Sequence, residues 1–282
     1  MTLAIEHPPL ALRPELPPAT AAAPHPRTDV LGVGISAINL PMAVDQVGRW
    51  IAAAAAGGRH YVCVTGVHGV MESRRDEQLR QIHNDAGMVT PDGMPMVWLS
   101  RLAGHKHVGR VYGPDLMLAV CEASIRPENG WRHYFYGGGD GVADRLAARL
   151  SAQFNGLAVA GTYYPPFRPL SAAEDAAVCQ RINASGADIV WVGLSTPKQE
   201  RWMAGHLHRI GSPVMIGVGA AFDFHAGLKR QAPRWMQKSG LEWLFRMVTE
   251  PRRLAGRYLT NNPRFVAAVM SQWTQCSRRA PR

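Results

Sequence analysis

One acidic residue lies in a sequence context that could support acid–base chemistry. Asp92 stands in the segment Thr90-Pro91-Asp92-Gly93, at the expected end of a short strand. A carboxylate at a strand end can project into a ligand cleft and take a proton from a substrate hydroxyl. Thr65-Gly66 ends the preceding predicted strand, so both segments could face one crevice. Proline, aspartate and glycine are also turn residues, and from this segment alone a structural role for Asp92 is the simpler interpretation.

Two glycine-containing segments could bind an anion. Gly137-Gly138-Gly139 follows a predicted strand and precedes a predicted helix, so its backbone N–H groups could approach a diphosphate. A tight turn with Asp140 as the helix N-cap explains the same glycines equally well. Gly193 begins the second segment, which enters a helix at Lys198 and Gln199. A lysine in the first turn opposes the helix dipole, which hints at a bound anion, although a solvent-facing lysine is the simpler interpretation.

Neither a nicotinamide site nor a metal site is expected. Residues Gly32–Ala37 match the dinucleotide fingerprint GxGxxA, but the acidic residue expected about 20 positions later is absent, and we interpret the segment as a loop. His206 and His208 are two residues apart on a predicted helix, so they point to opposite sides. His105 and His107 have no Asp, Glu or Cys close by in the sequence. We therefore expect a metal-independent protein without a cofactor.

The elements that must position these residues alternate between short apolar strands and helix-length segments. The predicted strands are Tyr61–Val64, His133–Tyr136, Leu157–Val159, Asp188–Val192 and Pro213–Ile216. The predicted helices are Pro41–Ala56, His68–Asp85, Asp115–Ile125, Val142–Phe154, Ser171–Ala184 and Pro197–Ile210. This alternation predicts an α/β fold with a mostly parallel sheet and helices on both faces. Ligands of such folds bind beyond the carboxyl ends of the strands.

Composition divides the chain into three parts. Residues 1–29 hold seven of the 21 prolines and predict a flexible leader without a core. Residues 30–228 carry the α/β pattern, and residues 229–282 predict a basic, amphipathic helical appendage. The four cysteines have no CxxC spacing, which favours a reducing compartment. No apolar run reaches the roughly 18 residues of a membrane span, and no signal-peptide pattern is present, so we expect neither an integral membrane protein nor a secreted one.

The charge imbalance of the chain lies in its last segment. The chain has 31 basic and 21 acidic residues, and residues 229–282 contain 12 of the basic ones but only two acidic ones, Glu242 and Glu250. Such a segment suits an anionic partner, which could be a nucleic acid, an anionic lipid surface or a phosphorylated substrate. A solvated basic face is the alternative that needs no partner.

Five segments together carry a resemblance to a known family. They are Thr90–Gly93, Gly193–Glu200, Gly217–Phe224, Lys229–Trp235 and Gly240–Arg246. Taken in order over about residues 30–259, they resemble the WecG/TagA/CpsF family of bacterial glycosyltransferases. This family includes N-acetylmannosaminyltransferases and xanthan-type glucosyltransferases. The resemblance implies a Rossmann-like catalytic domain over residues 30–228 and inverting transfer from a UDP-sugar to a polyprenyl-diphosphate-linked sugar.

The resemblance also implies roles for individual residues. Asp92 corresponds to the proposed base of the family, and Thr65 and Arg110 correspond to other residues of its catalytic site. The residues expected to bind substrate are Gln199, Arg246, Arg252 and Arg253, together with Lys198, Gly193, Gly137, Gly138 and Gly139 of the two glycine-containing segments. Backbone amides, Lys198 and the appendage arginines would neutralise the departing diphosphate in place of a metal.

The donor sugar and the cellular location follow from the same resemblance. Thr65-Gly66-Val67 stands where family members typically have Thr-x-Asn. Without the asparagine amide, UDP-glucose is the first choice of donor and UDP-N-acetylmannosamine the alternative, in exopolysaccharide or other cell-surface polysaccharide synthesis. The basic appendage is expected to contact the anionic inner face of the plasma membrane, which makes the protein cytoplasmic and peripheral. A homo-oligomer is compatible with the sequence.

Two other classes of protein stay open at this point. A nicotinamide-dependent oxidoreductase could use the same sheet, although its fingerprint is incomplete. A basic nucleic-acid-binding protein would explain the charge of the appendage but not the glycines at the strand ends. We expect neither a nicotinamide cofactor nor a nucleic-acid partner.

Overall fold

In the part of the chain that the structure describes, eight strands form a hairpin and a six-stranded sheet. The computed structural model describes residues 25–279. The strands are β1 (Arg27–Val30), β2 (Val33–Ser36), β3 (His60–Thr65), β4 (Met88–Pro91), β5 (Arg132–Gly137), β6 (Ala158–Tyr163), β7 (Ile189–Gly193) and β8 (Val214–Gly217). β1 and β2 pair antiparallel, whereas the large sheet has the order β4-β3-β8-β7-β5-β6 with every neighbouring pair parallel. The predicted α/β fold with a mostly parallel sheet is confirmed.

Helices connect the strands and continue into the appendage. They are α1 (Leu40–Ala52), α2 (Val67–Arg75), α3 (Glu77–Asp85), α4 (Met94–Leu102), α5 (Gly113–Ser124), α6 (Val142–Gln153), α7 (Ala172–Ser185), α8 (Lys198–His206), α9 (Ala221–His225), α10 (Arg234–Lys238), α11 (Glu242–Thr249) and α12 (Pro251–Arg279). The prediction of one helix over residues 68–85 is wrong. The chain breaks at Asp76, whose side chain accepts a hydrogen bond from the Leu79 backbone N–H at 3.0 Å and so caps α3.

The sheet is buried on both faces because successive side chains of each strand alternate between two hydrophobic clusters. On β7, Ile189 and Trp191 join a cluster with α1, α5 and α6. Val190 and Val192 join the opposite cluster, which includes residues of α2, α7, α8 and the β1–β2 hairpin. Burial on both sides explains why the strands appear in the sequence as continuous apolar runs. Helices therefore lie on both faces, as predicted.

The segment Gly32–Ala37 does not form the predicted loop. It belongs largely to the β1–β2 hairpin, whose turn residues Leu31 and Gly32 both have positive φ values, 54° and 90°. Two such residues form the turn that suits the twist of a two-residue hairpin. Because β1 begins at Arg27, residues 27–29 of the predicted leader are part of the fold. Residues 1–24 of that leader lie outside the described residues.

The appendage is helical and crosses the domain at the carboxyl ends of the strands. The Arg75 guanidinium of α2 donates to the Asn261 side chain of α12 at 2.8 Å, and the Leu31 backbone N–H donates to Gln272 at 3.2 Å. These bonds attach α12 to both α2 and the hairpin. No helix within residues 25–279 combines the length and the apolar character that crossing a bilayer requires. Residues 280–282 lie beyond the described part of the chain.

Candidate active site

The carboxyl ends of four parallel strands open into one cleft of about 740 Å³. Gly66 and Asp92 follow β3 and β4 directly, while Ser195 and Val218 lie just beyond β7 and β8, and all four residues line the cleft. Residues of α11 and α12 contribute the facing wall, among them Arg246. This is the edge of a parallel sheet where ligands bind.

Asp92 is held in the cleft by its backbone. Its N–H donates to the Thr65 carbonyl at 3.1 Å, and its own carbonyl accepts from Arg110 Nε at 2.7 Å. Its carboxylate Oδ1 is buried and has no hydrogen-bond partner among the described residues. Burial raises the pKa of Asp92 to about 6; Glu242 also raises it, whereas Arg110 and Arg246 lower it. A carboxylate with a pKa near neutrality and a free oxygen can accept a proton from a bound hydroxyl.

Arg110 joins the catalytic domain to the appendage. Its guanidinium forms an ion pair with Glu242 of α11, donates to Gln237 at 3.4 Å and stacks 4.0 Å from the centre of the Tyr112 ring. Burial alone would lower the pKa of Arg110, but Asp92 and Glu242 raise it, so the side chain stays charged. No role in the site was predicted for Glu242 from the sequence. The available signal was its rarity, because it is one of only two acidic residues in a strongly basic segment.

Arg246 lines the cleft and has an unpaired hydrogen-bond donor. Its Nε is buried and has no hydrogen-bond partner among the described residues, and its guanidinium lies 5.7 Å from the centre of the Phe224 ring. Burial alone would lower the pKa of Arg246, but the surrounding tyrosines and carboxylates raise it. Arg253 also lines the cleft, where it donates to Glu250 at 2.8 Å. A half-buried arginine whose Nε is an unpaired donor is suited to bind an anionic ligand.

Gln199, like Asp92 and Arg246, lines the cleft and has a polar atom without a hydrogen-bond partner among the described residues. Its amide nitrogen donates to Glu200 at 3.0 Å, and Glu200 also accepts from the Thr196 hydroxyl at 2.9 Å. Glu200 takes the amide nitrogen, whereas the Gln199 Oε1 is buried and has no hydrogen-bond partner among residues 25–279, in a residue that lines the cleft. That oxygen can accept a hydrogen bond from a ligand hydroxyl or amide.

Comparison with known protein families identifies the family of this chain. The model described as the glycosyl transferase WecG/TagA/CpsF family matches residues 28–279 of the 282-residue chain. The chain belongs to this family. It is therefore a glycosyltransferase, as the sequence motifs predicted.

Two relatives carry the same name, N-acetylglucosaminyldiphosphoundecaprenol N-acetyl-beta-D-mannosaminyltransferase. The protein of Bacillus spizizenii is 28% identical over 199 residues, which cover 71% of this chain and 74% of the relative. The protein of Bacillus subtilis strain 168 is 24% identical over 198 residues, which cover 70% of this chain and 74% of the relative. Their name describes N-acetylmannosamine transfer to a lipid-linked acceptor.

The predicted site residues of this glycosyltransferase divide into two groups. Asp92, Arg110, Gln199, Arg246 and Arg253 line the cleft together. The residues that do not line it are Thr65, Gly137, Gly138, Gly139, Gly193, Lys198 and Arg252. Among these, Thr65 is buried behind the wall, where its carbonyl holds the Asp92 backbone, and Lys198 and Arg252 are exposed.

The glycine-rich segment of the glycosyltransferase has a packing role rather than a place in the cleft wall. A Cβ at Gly137 would lie 2.7 Å from the Gly193 carbonyl, and the Gly138 N–H donates to that carbonyl at 3.0 Å. The glycines therefore let the ends of β5 and β7 approach closely, which favours the tight turn over the phosphate cradle. Asp140 is not the N-cap of α6, because Gly141 occupies that position.

One group of potential metal ligands occurs within the described residues. It comprises Asp175, Cys179 and His206, between α7 and α8 and outside the cleft wall. The Asp175 carboxylate already contacts His206 Nε2 at 2.9 Å and Arg209 at 2.5 Å. This network joins two helices of the glycosyltransferase, and a metal there would have to displace the arginine.

Proposed function

We propose that this glycosyltransferase moves a sugar from a UDP-sugar to a polyprenyl-diphosphate-linked sugar by a single displacement, with Asp92 as the base. The observation that carries the proposal is the Asp92 carboxylate, which lies in the cleft with a free oxygen and a pKa raised to about 6. In a single displacement, the base removes the proton of the acceptor hydroxyl while that oxygen attacks the sugar carbon. Attack from the face opposite to the departing UDP inverts the configuration of that carbon.

The leaving diphosphate needs positive charge as it departs. Arg246 is the cleft arginine suited to this role, because a guanidinium can meet two phosphate oxygens at once. Arg253, on α12, is then available for the diphosphate of the acceptor. Arg110 is committed to Glu242 and to the Asp92 carbonyl, so we assign it to positioning the base. These arginines support transfer without a metal ion.

The relatives change the order of the expected donors. UDP-glucose was the first choice because Gly66-Val67 replaces the family's asparagine, but both relatives are named as N-acetylmannosaminyltransferases. We therefore propose UDP-N-acetylmannosamine as the donor and UDP-glucose as the second candidate. The free Gln199 Oε1 could accept a hydrogen bond from an N-acetyl N–H or from a sugar hydroxyl, so it is compatible with both.

The proposal is tested with a panel of UDP-sugars and a short-chain prenyl-diphosphate-GlcNAc acceptor, with and without EDTA. We expect one UDP-sugar to be transferred and EDTA to have no effect. The Asp92→Asn variant should keep UDP binding but lose transfer by about 100-fold or more. Asp85→Asn, at an exposed position, is the matched control and should transfer normally. Near-normal transfer by Asp92→Asn, or no transfer from any UDP-sugar, would contradict the proposal.

The location of the enzyme is proposed from the appendage. Trp235, Val248 and Leu259 are 64%, 70% and 65% exposed in a segment with 12 basic residues. Exposed apolar side chains among basic ones suit the surface of an anionic membrane, and we place the enzyme on the inner face of the plasma membrane. The full chain should co-sediment with vesicles containing phosphatidylglycerol, and less so at high salt. Equal co-sedimentation with neutral vesicles would contradict the electrostatic part of this contact.

A further inference from the structure

The cleft continues from Asp92 into an apolar groove between α4 and α12, which we call the α4–α12 groove. Its lining residues are Met94, Trp98, Leu99 and Leu102 of α4 and Phe265, Val266, Val269 and Met270 of α12. Leu102, Val266 and Met270 remain 65%, 60% and 58% exposed. Apolar side chains that stay exposed along one continuous groove indicate a binding surface rather than a core.

The α4 wall leads away from the proposed base. The helix begins at Met94, two residues after Asp92, and Met94, Trp98 and Leu102 follow at intervals of four residues. This spacing places the three side chains on one face of the helix. At 1.5 Å per residue, the stripe extends about 12 Å from its start near Asp92.

The α12 wall changes character along its length. Its lining residues are polar in the first part, namely Arg253, Tyr258, Asn261 and Asn262. They are apolar in the second part, from Phe265 to Met270. The apolar part lies within about 12 Å of Asn262 along the helix axis. A ligand with an anionic head and an apolar tail would match both parts of this wall.

We propose that the α4–α12 groove binds the first isoprenyl units of the acceptor's polyprenyl chain. The inference rests on the proposed function, because the acceptor sugar must meet Asp92 in the same cleft. With that sugar at Asp92, the acceptor diphosphate lies beside Arg253 and the asparagines of α12, and the chain leaves through the groove. The continuity of the groove with the cleft at Asp92 and the order of polar and apolar residues along α12 both favour this occupant.

The test uses a variant of the groove and a matched control outside it. Leu102→Ser combined with Val266→Ser removes two exposed apolar side chains from opposite walls, so the fold should tolerate the change. Trp98 is left in place because it packs close to Gly240, at the turn before α11. Phe167→Ser is the control, since Phe167 is 95% exposed and does not line the cleft.

The probes are farnesyl diphosphate and dimethylallyl diphosphate, whose binding is measured by calorimetry without vesicles or detergent. The wild-type enzyme and the control should bind the farnesyl compound about tenfold or more tightly than the dimethylallyl one. The groove variant should lose most of this difference and retain its affinity for the shorter compound. The same ratios are then measured as KM values, with GlcNAc-diphosphate acceptors that carry these two chains.

The outcomes separate this inference from the proposed function. An unchanged chain-length ratio in the groove variant would overturn the inference. A change in sedimentation of the groove variant, with an unchanged ratio, would assign the groove to a second copy of the chain and would also overturn it. Chain-length-dependent binding without any sugar transfer would support the groove but contradict the proposed function.

Discussion

Replacing Asp92 by asparagine should make the protein more stable at neutral pH, although it removes the proposed base. Burial raises the pKa of Asp92 to about 6 in the folded protein, from an ordinary value of 3.8. The folded chain therefore holds this proton more tightly than the unfolded chain does. An ionised Asp92 consequently lowers the free energy of unfolding, and a neutral asparagine does not have this cost.

The size of the effect follows from the difference between the two pKa values. About two pKa units correspond to about 3 kcal/mol, since each unit is about 1.4 kcal/mol. The difference in the free energy of unfolding depends on pH through proton binding. Well below pH 4, Asp92 is protonated in both the folded and the unfolded state. The cost of ionising it in the folded state grows as the pH rises through the interval between the two pKa values. Wild type and Asp92→Asn should therefore be similarly stable near pH 4, and the variant should be more stable by about 3 kcal/mol at pH 7.

The assay is urea unfolding of both proteins at several pH values between 4 and 8, followed by circular dichroism. Asp85→Asn serves as the control for the substitution itself, because that side chain is exposed and lies outside the cleft. A difference between Asp92→Asn and wild type that does not grow with pH would refute the reasoning. It would mean that the cleft does not oppose ionisation of Asp92.

Two further predictions concern the charges around the base. Glu242→Gln should shift the acid limb of the pH–rate profile to lower pH by roughly one unit, because Glu242 raises the pKa of Asp92. Glu250→Gln, the other acidic residue of the appendage, should leave that limb in place, and equal shifts would argue against a local effect. Arg246→Met should weaken UDP binding about 30-fold in calorimetry, as expected for one charge-assisted contact. Arg252→Met, outside the cleft wall, should bind UDP like the wild type, and equal losses would contradict the assignment.

Most of the fold could be predicted from the sequence because its strands and helices depend on local patterns. The apolar runs of β3, β5, β7 and β8 are typical of strands buried on both faces. The break between α2 and α3 was missed, because the helical pattern continues across it and Asp76 is the single local signal. The hairpin at residues 27–36 was missed because Gly32 and Gly34 resemble a phosphate-binding loop.

The candidate site was harder to predict because it depends on contacts between distant parts of the chain. The family motifs pointed to Asp92 and Gln199, which the fold brings into one cleft. The sequence left two interpretations of the glycine-rich segment open, since the partner of Gly137 is Gly193 on a neighbouring strand that lies far away in the sequence. The role of Glu242 and the α4–α12 groove depend on where the appendage packs, and no local pattern gives that position.

The dependence of kcat/KM on pH tests the central claim most directly. Both substrates are diphosphate diesters, so their phosphates do not titrate between pH 5 and 8. If Asp92 is the base, kcat/KM should rise about tenfold from pH 5 to pH 7 with an apparent pKa near 6, the value of the ligand-free enzyme, and it should level off above that. The residual activity of Asp92→Asn should lack this rise. A kcat/KM that is constant from pH 5 to 8, or an Asp92→Asn variant that keeps the same limb, would contradict the account.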